Sequence, residues 1–372
     1  MKRLVVVFAL LIAATVACAH PVATKPVPKP VIQLAILLDT SNSMDGLIDQ
    51  ARTQLWRVVN EFGTAKKNGI VPELQVALYE YGNDGLPAEK GHIRLVQPFT
   101  TDLDKISEEL FALKTNGGQE YCGQVIDESL RGLRWSESPG DLKVIFIAGN
   151  EAFTQGSVDY RVASAKALTR GIIVNTIFCG DRSEGLSTKW GVGATMADGR
   201  YVAIDQDAQV AEIEAPQDDE IAALGLKLNE TYIAYGAKGV EGRTRQSVQD
   251  KNVEARKGSN VQRQIAKASA SYSNASWDLV DAKNHGTVDL EKVKAGDLPA
   301  EMRGMTVAQR KAHVAAMEQQ RAELQKKIAR LDAQRKTYVA AQRAKLPPAS
   351  TTLDEAIIAA VREAGRKRGF TF

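Results

Sequence analysis

Histidine and cysteine are scarce, with four and three in 372 residues. His20, His92, His285 and His313 stand far apart, and no HExxH or comparable spacing links them. That excludes a metal site built from imidazoles. No G-x-S-x-G elbow and no phosphate-binding loop is present, which removes the commonest hydrolase and nucleotide-binding readings. The glycine-rich GAKGVEG at 236–242 lacks the lysine and serine of a phosphate loop and reads as a plain loop. Aromatic residues make up 6% of the chain, and Trp56, Trp135, Trp190 and Trp277 are scattered. They form no stacking platform for nucleic-acid bases and read as packing residues. A net charge of +3 singles out no class of partner.

Long apolar runs are also missing, with one exception. Lys2 and Arg3 precede LVVVFALLIAATVA, a stretch too short to span a membrane comfortably and flanked as a signal peptide is, over residues 1–19. Two cleavage routes fit. Ala17-x-Ala19 suits cleavage before His20, and TVAC suits lipidation of Cys18. Export to the periplasm or the extracellular space follows, with an outer-membrane lipoprotein as the form tethered through Cys18. Residues 20–31, HPVATKPVPKPV, carry four prolines and read as an extended linker. Removal of Cys18 by either route leaves Cys122 and Cys179, an even pair in an oxidising compartment, for which a disulfide is expected.

The remaining composition is that of a globular protein, 44% hydrophobic and 25% charged. From residue 32 to 214 strands and helices alternate. IQLAILL, LQVALYEYG, HIRLVQPF, KVIFIAG, IIVNTIFCG and GRYVAID read as six strands, the third joined to the second as an antiparallel hairpin. Between them, LIDQARTQLWRVVNEFGTA, DLDKISEELFAL, the segment after NGGQEYCG, and VDYRVASAKALTRG show helical spacing. STKWGVGATMAD reads as loop. The pattern predicts a doubly wound, mainly parallel α/β sheet between two helix layers.

Residues 215–372 read as a helical C-terminal region. GVEGRTRQSVQDKNVEARKGSNVQRQIAKAS is polar and helical in part. Further on, Met317, Leu324, Leu331 and Tyr338 recur every seven residues, while Arg321 and Arg335 interrupt the adjoining column of Val314 and Ile328. This predicts a long, partly coiled-coil-like helix packed along a neighbour, stopped by Pro347 and Pro348. Residues 301–372 carry fifteen Lys and Arg against seven Asp and Glu, read as the solvated face of long helices.

Chemistry concentrates at the end of the first strand, in LLDTSNSM at 37–44. Asp39, Ser41 and Ser43 place a carboxylate and two hydroxyls at alternating positions, where ligands collect beyond the carboxyl ends of strands. Oxygen donors of this kind suit Mg²⁺. The simpler alternative is that the serine hydroxyls only cap the first helix.

With NGGQEYCG at 116–123, VIFIAGNE at 144–151 and GATMADGRYVAID at 193–205, these residues resemble the von Willebrand factor type A domain over residues 32 to about 213. The resemblance implies a metal-ion-dependent adhesion site with Asp39, Ser41 and Ser43 as first-turn ligands of Mg²⁺, or of Mn²⁺ or Ca²⁺. It also implies a protein partner presenting an acidic residue that completes the ion's shell. Where the family has a threonine after paired glycines, this chain has Gln119 and Glu120, and Glu120 is favoured for its charge. Where the family has threonine–aspartate–glycine, this chain reads Ala148-Gly149-Asn150-Glu151, with Asn150 or Glu151 as the substitute. On the same map Cys122 and Cys179 both lie near the metal rim. The function expected is that of an exported, non-enzymatic protein-interaction module with no nucleic-acid partner. The alternatives are a metal-free envelope scaffold or lipoprotein acting through its helical tail, and a metal-assisted hydrolase.

Overall fold

A computed structural model describes residues 29–208, 212–346 and 351–372. The expected signal peptide, Cys18, most of the proline-rich linker, and Pro347 and Pro348 lie outside the described residues.

The strands are β1 (Val31–Asp39), β2 (Lys66–Lys67), β3 (Glu73–Tyr81), β4 (Ile93–Thr100), β5 (Leu142–Gly149), β6 (Ile173–Cys179), β7 (Tyr201–Ile204) and β8 (Phe370–Thr371). Six of them form one sheet in the order β4-β3-β1-β5-β6-β7, and β2 pairs with β8. β1 runs parallel to both β3 and β5, and only β4 is antiparallel within the large sheet. This is the doubly wound architecture that the strand and helix alternation predicts. β1 is buried at every position from Ile32 to Asp39, as a central strand covered on both faces must be.

The helices are α1 (Asp45–Gly63), α2 (Leu103–Ala112), α3 (Cys122–Gly132), α4 (Tyr160–Thr169), α5 (Arg182–Ser187), α6 (Trp190–Thr195), α7 (Asp218–Asn229), α8 (Gly239–Glu254), α9 (Lys257–Lys267), α10 (Leu279–Asn284), α11 (Val307–Arg343) and α12 (Leu353–Lys367). Alternate residues of β1 feed two cores. Leu34, Ile36 and Leu38 meet Leu55 and Val59 of α1, Ile106 of α2 and Ile357 of α12. Ala35 and Leu37 meet Val125 and Ile126 of α3 and Ala163 of α4.

The stretch expected as loop, STKWGVGATMAD, forms the end of α5 and all of α6 instead. The helix-forming signal there is packing rather than propensity. Trp190 is fully buried against Phe153 and Phe178, and Asp181 caps α5 by accepting from the amides of Ser183 and Glu184. Part of GAKGVEG is also helical, because α8 starts at Gly239. Gly242 lies under Trp277, where a Cβ would come within 2.3 Å of the ring.

The helical segment is an insertion in the sheet's own wrapping. After β7 the chain builds α7 to α11 and then returns as α12, whose Ile357, Ala360, Val361 and Ala364 fill the face of β5 and β6. The same core continues through Ile221 and Leu228 of α7 to Leu324, Ile328 and Leu331 of α11. The two arginines expected to interrupt the seam of α11 are buried within it. Arg321 bonds Asp278 at 2.7 Å and Asp281 at 2.8 Å, and lies 4.1 Å over the ring of Tyr232. Arg335 bonds Asp218 at 2.7 Å.

Polar groups also fasten the insertion to α2. Arg263 of α9 is fully buried and donates to Asp104 of α2 at 2.7 Å, to Asp250 of α8 at 2.5 Å, and to the carbonyl of Gln246 at 2.9 Å. Its guanidinium stacks 4.5 Å from the ring of Trp56 of α1. Tyr272 donates to the other oxygen of Asp104 at 2.6 Å, and Lys267 reaches Asp250 at 3.0 Å. Every charge has a partner, which is the condition for burying such a group at all.

Removing one partner strands the others. Asp104→Ala should lower stability by about 3–5 kcal/mol, and the double variant Asp104→Leu with Arg263→Met should recover most of that loss, as read by urea unfolding. Lys267 gives a second test. Burial and the neighbouring Arg263 push its ammonium down to about 8 from an unfolded 10.5, against the pull of Asp250. Between those two pH values the unfolded chain binds more protons, so this group makes stability rise with pH. The unfolding free energy of the wild type relative to Lys267→Met should therefore increase across that window.

Candidate metal centre beyond the strand ends

Asp39 closes β1 at full burial, level with Tyr81 at the end of β3. Its Oδ1 accepts from the amide of Ser41 at 2.7 Å, which folds the turn back over the strand end. The turn is pinned from both sides, by the Thr40 amide on the Tyr81 carbonyl at 2.9 Å and the Asn116 amide on the Thr40 carbonyl at 2.9 Å. A short 3₁₀ turn, Asn42–Met44, leads into α1. The hydroxyls of Ser41 and Ser43 lie 3.4 Å apart. Neither caps a helix, since no side chain bonds the free amides at the start of the turn or of α1. The capping alternative is thereby set aside.

Glu120 enters from the loop between α2 and α3. Its side chain is 2% exposed and rests against the carboxyl of Asp39. Its amide donates to Oε1 of Gln155 at 3.2 Å, and Gln155 donates in turn to Glu151 at 3.1 Å. Asn150 follows β5 and donates to the Ser43 hydroxyl at 3.0 Å, leaving its Oδ1 free. The structure thus brings together Asp39, Ser41, Ser43, Glu120 and Asn150. It sets Glu151 outside them, on the exposed side and held by Gln155. Gln119 is exposed and accepts from the Tyr121 hydroxyl.

Three acceptor oxygens remain unpartnered: Asp39 Oδ2, Glu120 Oε2 and Asn150 Oδ1. Burial, followed by the adjacent Glu120, holds the Asp39 carboxyl well above the usual carboxylate range. Burial and then the charge of Glu151 push Glu120 up. The α2–α9 cluster carries its own cations, whereas no Lys or Arg among the described residues pairs with Asp39 or Glu120. Two buried carboxyls, two hydroxyls and an amide oxygen without an internal cation fit a hard divalent ion. No group of three or more His, Cys, Asp or Glu among the described residues could hold a metal, so an ion here depends on the serine and asparagine oxygens.

Two glycines make room for this arrangement, Gly82, which no motif included, and Gly149, which stands in the Ala148-Gly149-Asn150-Glu151 departure from the family pattern. At Gly82, with φ +78°, a Cβ would stand 2.7 Å from Asp39 Oδ1 and 2.8 Å from Glu120 Cγ. At Gly149 it would stand 2.5 Å from the Tyr81 hydroxyl and 3.0 Å from Asp39 Oδ2. Gly149, the last residue of β5, is thus closed to side chains, and the second carboxyl beside Asp39 comes from Glu120. The placing of Gly82 straight after an apolar strand was the available signal.

The expected disulfide is not formed. Cys122 and Cys179 are both free and buried. Cys122 opens α3 and packs in the core on one face of the sheet, whereas Cys179 points into the core on the other. A common rim does not bring them together, because the sheet stands between their side chains. Burial raises both thiols well above their ordinary value. Under native conditions neither should react with a thiol reagent, and both should label after denaturation without reductant, as mass spectrometry would count.

No protein-family model matches the sequence, and no curated protein matches it. Among solved structures, a conserved hypothetical protein BatB from Bacteroides thetaiotaomicron aligns at 18% identity and a TM-score of 0.35, over 47% of this chain and 90% of that one. The SpRpn10 VWA domain aligns at 14% identity and a TM-score of 0.36, over 49% of this chain and 100% of that one. The pilus adhesin SpaC from Lactobacillus rhamnosus GG, in its open conformation, aligns at 14% identity and a TM-score of 0.36, over 50% of this chain and 29% of that one.

Proposed function

We propose that this chain is an exported protein-interaction module of the type A kind, binding its partner through a divalent cation rather than catalysing a reaction. One observation carries the reading. Asp39 Oδ2, Glu120 Oε2 and Asn150 Oδ1 are buried acceptors without a donor, gathered with two serine hydroxyls beyond the ends of β1 and β5. Buried carboxylates that lack a cation are costly, and a divalent ion offsets that cost directly. Asp39, Ser41, Ser43, Glu120 and Asn150 would hold Mg²⁺, Mn²⁺ or Ca²⁺. When bound, the ion supplies a Lewis-acidic face that an oxygen of the partner completes, in the manner of the acidic residue the resemblance implies. Ser43 is exposed while Asp39, Ser41 and Glu120 are buried, so the partner would approach from the Ser43 side. Among the described residues no helix is long and apolar enough to cross a membrane, and a tether through Cys18 belongs to this proposal.

Calorimetric titration of Mg²⁺, Mn²⁺ and Ca²⁺ into chelator-treated protein tests the reading. The wild type should bind, and Asp39→Ala should not, with its far-ultraviolet circular dichroism unchanged. At an ion concentration about a hundredfold above the dissociation constant, the wild type should gain about 2.7 kcal/mol in stability. Equal titrations of the two proteins would transfer the function to the helical insertion, as a metal-free scaffold.

A further inference from the structure

Charge is segregated on this molecule. Overall it carries +3, yet the loops around the candidate centre are acidic. Asp45, Asp84, Glu151, Asp205 and Asp207 are all exposed there. They are tied to the centre by specific bonds. Thr115, in the loop that carries Glu120, donates to Asp45 at 2.6 Å. The Asp84 amide donates to the Gly117 carbonyl in that loop at 2.6 Å. Gln206, between Asp205 and Asp207, donates to the Ser43 carbonyl at 2.7 Å. None of the five forms an ion pair with a Lys or Arg among the described residues; His92 lies 3.9 Å from Asp84, and Arg52 stands near enough to Asp45 to feel its charge. Two acids farther along α1 are paired, Asp49 with Arg256 at 2.9 Å and Glu61 with Arg362 at 2.5 Å.

The acidic rim surrounds a second feature that itself points to a ligand. Asp39 and Glu120, at 0% and 2% exposure, each leave an oxygen without a donor at its centre. A divalent ion would be neutralised by those two carboxylates, and the exposed rim would stay negative. An acidic partner group approaching alone would meet repulsion from these five carboxylates, since like-charge contact at an interface is unfavourable.

We propose that the partner segment docking on this face is basic, a protein surface whose Lys and Arg side chains meet Asp45, Asp84 and Asp207 while one oxygen at its centre meets the cation. This rests on the cation reading above for the central contact, and on the unpaired rim for the charge. The rim sets which partner is admitted and how fast it arrives, since a cleft lined by one sign of charge steers the opposite sign into it. The cation sets the anchoring point. An acidic residue can still complete the ion's shell when lysines or arginines flank it.

Two synthetic peptides separate the possibilities, Lys-Lys-Asp-Lys-Lys and Glu-Glu-Asp-Glu-Glu, which share the central aspartate. Binding to the full chain is followed by fluorescence anisotropy with Mn²⁺ present and again with chelator. The basic peptide should bind the wild type at least roughly tenfold more tightly, and about 0.5 M salt should remove the advantage. The combined Asp45→Asn, Asp84→Asn and Asp207→Asn variant should lose it, while Asp289→Asn with Glu291→Gln, in the helical insertion, should keep it. Equal binding of the two peptides, tighter binding of the acidic one, no binding of either, or a preference that survives the triple substitution would each overturn the proposal. Failure of the cation reading has a separate signature, a basic preference that Mn²⁺ does not strengthen and Asp39→Ala does not weaken.

Discussion

Burial of β1 on both faces governs the molecule. A strand enclosed from Ile32 to Asp39 delivers its last side chain to a place that water does not reach, and that last side chain is a carboxylate. An aspartate so placed must be answered by a donor or a cation. The Ser41 amide answers one oxygen. The other stands beside Glu120, which worsens the electrostatics rather than relieving them. The turn, the paired glycines of the Glu120 loop, and the bare Cα atoms of Gly82 and Gly149 all follow from fitting two carboxyls into one enclosed space.

The helical insertion solves the same physical problem in the opposite way. Asp104, Asp250, Asp278 and Asp218 are also buried or nearly so, but Arg263, Lys267, Arg321 and Arg335 come from the same chain to meet them. These pairs fix which helix lies against which, because a shift of one turn would leave a charge alone in the core. One chain therefore contains acids satisfied from within and acids left for something else. That contrast, rather than any single motif, is the basis for proposing the strand-end cluster as a binding site.

The strand-end site was largely legible in the sequence. A continuous apolar run ending in Asp39-x-Ser41-x-Ser43 locates it, and the alternation of strands and helices gives the sheet around it. Glu120 was legible as a charge near a glycine turn, though nothing local showed that it would touch Asp39. The order of the helical region was hidden because its burial is polar. Arg321, Arg335 and Lys267 resemble solvent-facing residues until partners far away in the chain are known; Arg335 meets Asp218 across 117 positions. The cysteines misled for a different reason. Their height on the sheet was readable from strand ends, but the layer that α3 would occupy was not, and the two thiols fall on opposite faces.

The return of α12 has a consequence for how the chain comes into being. The face of β5 and β6 is sealed by residues 353–367, and β8 then ties Phe370 and Thr371 back to Lys67 and Lys66. All strands of the large sheet are synthesised more than a hundred residues before the helix that covers them. An apolar surface thus waits uncovered through the making of the whole insertion, a long-range closure that is slow and prone to aggregation. A chain carried across a membrane unfolded would meet that delay only after arrival, with its seal already in hand.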